Sequence, residues 1–129
     1  MTKIAEKNMR KIVTLALKKT EEERHARLET GLRHVPTVAQ LKTAKALKKA
    51  LGQLDDDDLL KVYGWMQLGK QGAHKNQAQD LYTRVVARER AAFDRERLET
   101  ALVSCHALSE AFDVAFNLLG SPFFAMKNH

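Results

Sequence analysis

Covalent and metal staples are scarce in this sequence. Its single cysteine, Cys105, excludes an internal disulfide. The five histidines, His25, His34, His74, His106 and His129, include no pair at the i, i+4 spacing that sets two imidazoles on one helix face. The tract Asp55-Asp56-Asp57-Asp58 lacks the glycine and the distal glutamate of a calcium loop. No Gly-Lys-Ser/Thr phosphate loop is present, because the glycines of GWMQLGKQG close an apolar helical stretch with no strand before it. Cys105 and His106 are neighbours, but on a helix neighbouring side chains diverge by about 100°, which separates thiol from imidazole. These absences predict a protein with no catalytic residues, no metal and no cofactor, and therefore no enzyme.

Long apolar runs are missing as well. Nothing approaches the ~18 consecutive apolar residues of a membrane-spanning helix. The first residues, MTKIAEKNMRK, lack the apolar centre of a secretory signal, and a lone reduced thiol suits a reducing compartment. A cytoplasmic protein is expected. Only two prolines and six glycines break the chain, and no stretch alternates apolar and polar residues with the period of a strand. With 129 residues, the chain is long enough to bury roughly two-thirds of its unfolded surface in one domain.

What remains is helical periodicity, and it predicts an all-α bundle of four to five helices within a single domain 1–129. Residues 1–31 read as a basic amphipathic helix, with Ile4, Met9, Ile12, Val13 and Ala16 on one side and Lys3, Lys7, Arg10, Lys11 and Lys18 on the other. Its apolar side is poor in aromatics and it carries Glu6, which favours packing on a core over lying on a membrane. Gly31 and Val35-Pro36 end it. Thr37 and Gln40 form a capping box that opens a Lys-rich helix over 37–52. Asp55 caps an acidic start to a third helix, 55–69, with Gly69 and Gly72 as its stops. A fourth helix spans 76–92, a break falls near Phe93-Asp94, and a fifth runs over 94–120. The last is apolar around most of its circumference, so it is expected to be the long buried helix that the others surround. An apolar tail, 121–129, follows Ser121-Pro122.

Charge is divided unevenly. Residues 1–50 hold 13 Lys or Arg against 5 acidic residues, whereas 51–129 hold 9 against 11, and the formal net charge is +6. The densest positive feature is Lys42, Lys45, Lys48 and Lys49 on one helix. The stretch AKALKKALGQLDDDDLLKVY has the rhythm of a helix-turn-helix. Its second helix would press four aspartates toward the DNA, which excludes that mode of groove reading. The lysines remain able to contact phosphates without reading bases.

Two functions are expected from these features. The first is a small regulator or adaptor that binds a protein partner through a helical surface, as a homodimer, with Phe123, Phe124, Met126, Tyr63 and Trp65 as its contact residues. The alternative is a nucleic-acid-associated protein that uses Lys42, Lys45, Lys48 and Lys49. Two short stretches also resemble known families. VYGWMQLGKQG followed by a helix ending in LLG is similar to a bacterial family of small helical proteins with no assigned activity. HALSEAFDVAFNLLGSP resembles the end of the rhizobial antiactivators, which implies a helical surface that sequesters a transcription factor. Neither likeness spans the chain.

Overall fold

The computed structural model describes residues 3–30 and 42–120. Every regular element among them is a helix: α1 (Lys3–Thr30), α2 (Lys42–Gly52), α3 (Asp56–Gln71), α4 (Lys75–Ala91), α5 (Arg95–Ser104) and α6 (Leu108–Leu119). The all-α expectation holds. The Thr37–Gln40 capping box and the tail with Phe123, Phe124 and Met126 lie outside the described residues. No single described helix is long and apolar enough to cross a membrane.

The most enclosed of the described helices is α3. From Leu59 to Leu68 every residue except Lys61 and Gln67 is buried, and α3 packs against α4, α5 and α6. Its sequence explains this position, because LLKVYGWMQL is apolar on nearly all sides and a helix of that kind is stable only when enclosed. Trp65 lies edge-on to Phe112 and Phe116 of α6, with ring centroids 6.1 and 5.1 Å away, the arrangement that the ring quadrupole favours. Helix α1 packs on α2 and α6 with Met9, Ile12 and Ala16 fully buried, and α2 also touches α5.

Two glycines set how closely the layers approach. Gly69 does not end α3, which continues to Gln71 and stops at Gly72, whose φ of 69° is easiest for glycine. Instead Gly69 lies against the backbone of Ala111 in α6, and Gly64 lies against the Tyr82 ring and Val86 of α4. Burial against this seam pushes the Tyr82 hydroxyl up to about 12.

The aspartate tract is consumed internally. Asp55 accepts from the Asp58 backbone N–H at 2.8 Å as the N-cap of α3. Asp56 pairs with Arg95 at 2.9 Å, Asp57 with Arg90 at 3.0 Å and Asp58 with Lys61 at 3.7 Å. Arg95 also donates to the carbonyls of Leu51 and Leu54, so one guanidinium joins the end of α2, the start of α3 and the start of α5. Asp94 caps α5 by accepting from the Arg97 N–H at 3.2 Å, which places the expected break after Phe93.

Candidate functional site

The stretch 94–120, expected as one helix, is two helices whose axes bend by 104° at Cys105–Ala107. No glycine or proline lies there. The bend depends instead on a left-handed alanine, Ala107 (φ 55°, ψ 43°), and on three polar side chains of α1. Lys19, fully buried, donates from Nζ to Glu23 Oε2 at 2.7 Å and to the Cys105 carbonyl at 2.9 Å. Glu23 Oε1 accepts from the Ala107 N–H at 3.1 Å. Thr20 Oγ1 accepts from the Ser109 N–H at 3.3 Å while donating to the Ala16 carbonyl at 2.9 Å.

The physical logic is that of helix ends. A break leaves carbonyls unpaired at the end of α5 and N–H groups unpaired at the start of α6. Ala107 has no side-chain oxygen with which to cap α6, so Thr20 supplies one from another helix. The signs also agree, because the ammonium meets the negative end of α5 and the carboxylate meets the positive end of α6. Lys19 and Glu23 are therefore a satisfied buried pair, held by each other and by the backbone they cap.

Beside this clamp, Thr20, Glu23, Arg24, His106, Ala107 and Glu110 line a small cleft of about 140 Å³. His106 Nδ1 lies 3.7 Å from Glu23 Oε1 at the rim, with the imidazole 59% exposed. The groups are committed to the fold: both Glu23 oxygens accept from protein donors, and Lys19 is shut away from solvent. Burial pushes the Cys105 thiol up, which keeps it a thiol and a poor nucleophile. Among the described residues, no three His, Cys, Asp or Glu side chains converge on a metal position.

A different surface offers unspent chemistry. Lys42, Lys45, Lys48 and Lys49 are all exposed on the solvent side of α2, whose buried side is Thr43, Ala44, Leu47, Ala50 and Leu51. Helix α2 contains no acidic residue, and none of the four lysines forms an ion pair within the described structure. On α1, Lys7, Lys11 and Lys18 are exposed and unpaired on the face opposite Met9, Ile12 and Ala16. Thr43 donates to Glu22 and so locks α2 beside α1. Lys18 lies one turn before Glu22 and Lys42 next to Thr43, so these two lysines flank one junction.

The remaining expected contact residues fall elsewhere. Tyr63 and Trp65 are 5% and 4% exposed in the core, so they are corrected from partner contacts to packing residues. Their apolar neighbours at helical spacing make them the inner face of α3. The clamp was the feature hidden from the sequence, although one signal marked it: Lys19 falls on the same helical face as Met9, Ile12 and Ala16. No protein-family model, curated protein or solved structure shows significant similarity to this chain.

Proposed function

We propose that the protein is a non-enzymatic, nucleic-acid-associated protein that contacts phosphates through Lys42, Lys45, Lys48 and Lys49, with Lys7, Lys11 and Lys18 extending the same surface. The observation that carries this reading is the contrast in how charge is used. The acidic tract beside α2 is neutralised by Arg90, Arg95 and Lys61, while the lysines of α1 and α2 that face solvent have no acidic partner. Uncompensated cations on a rigid face attract a polyanion and release its condensed counterions, which makes binding steeply salt-dependent.

The test is binding of a labelled nucleic acid measured by fluorescence anisotropy across a salt series. Replacing all four α2 lysines with glutamine is expected to weaken binding at least tenfold at low salt. It should also flatten log K against log salt by about 0.9 for each lysine that touches a phosphate of a duplex. The substitutions are on exposed positions, so helicity should be unchanged. Binding with an unaltered slope would remove these lysines from the site.

The adaptor reading, with a protein partner or a second copy, draws support from one observation. Leu17 and Val114, 50% and 39% exposed, are the exposed large hydrophobic residues among those described. Arg24 pairs with Glu110 at 3.5 Å, bringing one edge of α1 to one edge of α6. Leu17 lies two turns before Arg24 and Val114 one turn after Glu110, so both are close to that seam. Two such residues make a smaller feature than seven unpaired lysines, and the phosphate reading stands first.

A further inference from the structure

We infer that the ligand of the α1–α2 surface is the sugar-phosphate backbone of a nucleic-acid duplex, held without base readout; this rests on the phosphate reading above and specifies its substrate.

The first argument is what the surface lacks. No Phe, Tyr or Trp occurs before Tyr63, so the one ring on α1 and α2 is the imidazole of His25, a smaller stacking platform than a phenyl, phenol or indole ring. Single-strand binders draw much of their affinity from such stacking. The second argument is the kind of cation. Among the described side chains of α1 and α2, the seven exposed Lys or Arg residues without an ion pair are all lysines, which act as point charges; the planar fork that reads guanine edges belongs to arginine. Arg10 and Arg24 of α1 are engaged with Glu6 and Glu110.

The third argument is rigidity and charge density. Lys7, Lys11 and Lys18 recur at intervals of four and seven residues on one helix, a straight row about 16 Å long at 1.5 Å per residue. A duplex presents one phosphate per ~1.7 Å of axis, so the row lies against about nine charges, roughly twice what one strand supplies along the same axis. The row cannot bend to follow a flexible strand, because the other side of α1 is fixed in the core by Met9, Ile12 and Ala16. The same burial separates this surface from a membrane-binding amphipathic helix, whose apolar side must be free to enter the bilayer.

The test uses the full chain with two 20-base-pair DNA duplexes of unrelated sequence, an oligothymidine strand of equal length and vesicles of anionic phospholipid. The two duplexes should bind within about twofold of each other and roughly tenfold more tightly than the single strand. Replacing Lys7, Lys11 and Lys18 with glutamine should lower the duplex slope of log K against log salt by about 0.9 per lost contact. Equal or tighter binding of the single strand, or a large preference between duplexes, would overturn the duplex inference and leave the phosphate reading intact. Binding to neither DNA form, or to vesicles alone, would overturn both.

Discussion

Gly69→Ala is expected to be among the most destabilising single-methyl additions available in this protein. A Cβ built on Gly69 would lie 2.6 Å from Ala111 Cα, 2.5 Å from its carbonyl carbon and closer still to its oxygen. The obstacle is backbone, so no side-chain rotation relieves it, and α6 as a whole must move away from α3. That displacement loosens the Trp65, Phe112 and Phe116 cluster, where aromatic pairs are each worth about 0.5–1.5 kcal/mol beyond area burial. Overpacking of this kind costs about 1–3 kcal/mol, and more when main chain must shift. The expected loss is about 3 kcal/mol or more against the roughly 5–15 kcal/mol that holds an ordinary domain together. The gain of up to about 1 kcal/mol in helix propensity from Gly to Ala does not offset it. Gly52→Ala serves as the control, because nothing lies within 4 Å of its added methyl. Urea unfolding reads both, and a Gly69→Ala midpoint equal to that of Gly52→Ala would show that α3 and α6 are not in such close contact.

Lys19→Met is expected to cost a comparable amount through electrostatics. The ammonium is fully buried between Glu23 Oε2 and the Cys105 carbonyl, and methionine fills its volume without supplying a charge or a donor. Glu23 is then left as a buried carboxylate without its lysine, with the exposed His106 imidazole 3.7 Å away, and the end of α5 loses its cap. Breaking one side of a buried pair costs about 3–5 kcal/mol. Adding Glu23→Gln should recover a large part of that loss, because glutamine keeps an oxygen for the Ala107 N–H and removes the stranded charge. The double-mutant cycle isolates the pair, and its signature is a double variant more stable than Lys19→Met alone. A Lys19→Met protein with wild-type stability would mean that the bend at Cys105–Ala107 does not depend on α1.

The two variants mark what was and was not legible in the sequence. Caps and stops were local, so Asp55, Asp94 and Gly72 lie where helix-end chemistry placed them, α2 ends at Gly52 as predicted, and α4 begins and ends close to the predicted positions. The bend was not local. The residues from Arg95 to Leu119 contain no helix breaker, and the side chains that cap the two halves belong to Lys19, Thr20 and Glu23, more than eighty residues away. Any reading of periodicity alone joins α5 and α6. Once they are joined, the apolar residues of both wrap one rod, which makes the C-terminal stretch look as enclosed as α3 is. Gly69 misled for a related reason. A glycine late in a helix commonly marks its end, and only the approach of Ala111 reveals that its role is to admit another backbone.

The lysine surface was half legible. Four lysines within two turns of α2 stand out in composition, and their exposure follows from the apolar stripe of Ala44, Leu47 and Leu51 opposite them. Their freedom from acidic partners was not apparent, because Asp55–Asp58 follow closely in the chain and are the obvious candidates to neutralise them. The fold directs Asp56 and Asp57 to Arg95 and Arg90 and gives Asp55 a capping role. Tyr63 and Trp65 show the reverse error, in which residue types common at interfaces belong to the core because most of their neighbours at helical spacing, Leu59, Leu60, Val62, Met66 and Leu68, are apolar.

Lysine reactivity mapped by mass spectrometry, with and without duplex DNA, tests the phosphate surface most directly. Brief acetylation of the free protein should modify the exposed lysines of α1 and α2 alongside Lys70 and Lys75, which lie on α3 and α4. With DNA present, Lys42, Lys45, Lys48 and Lys49, together with Lys7, Lys11 and Lys18, should become protected while Lys70 and Lys75 react as before. Protection centred on Lys70 and Lys75, or uniform reactivity at saturating DNA, would contradict the assignment of the α1–α2 face as the working surface of this protein.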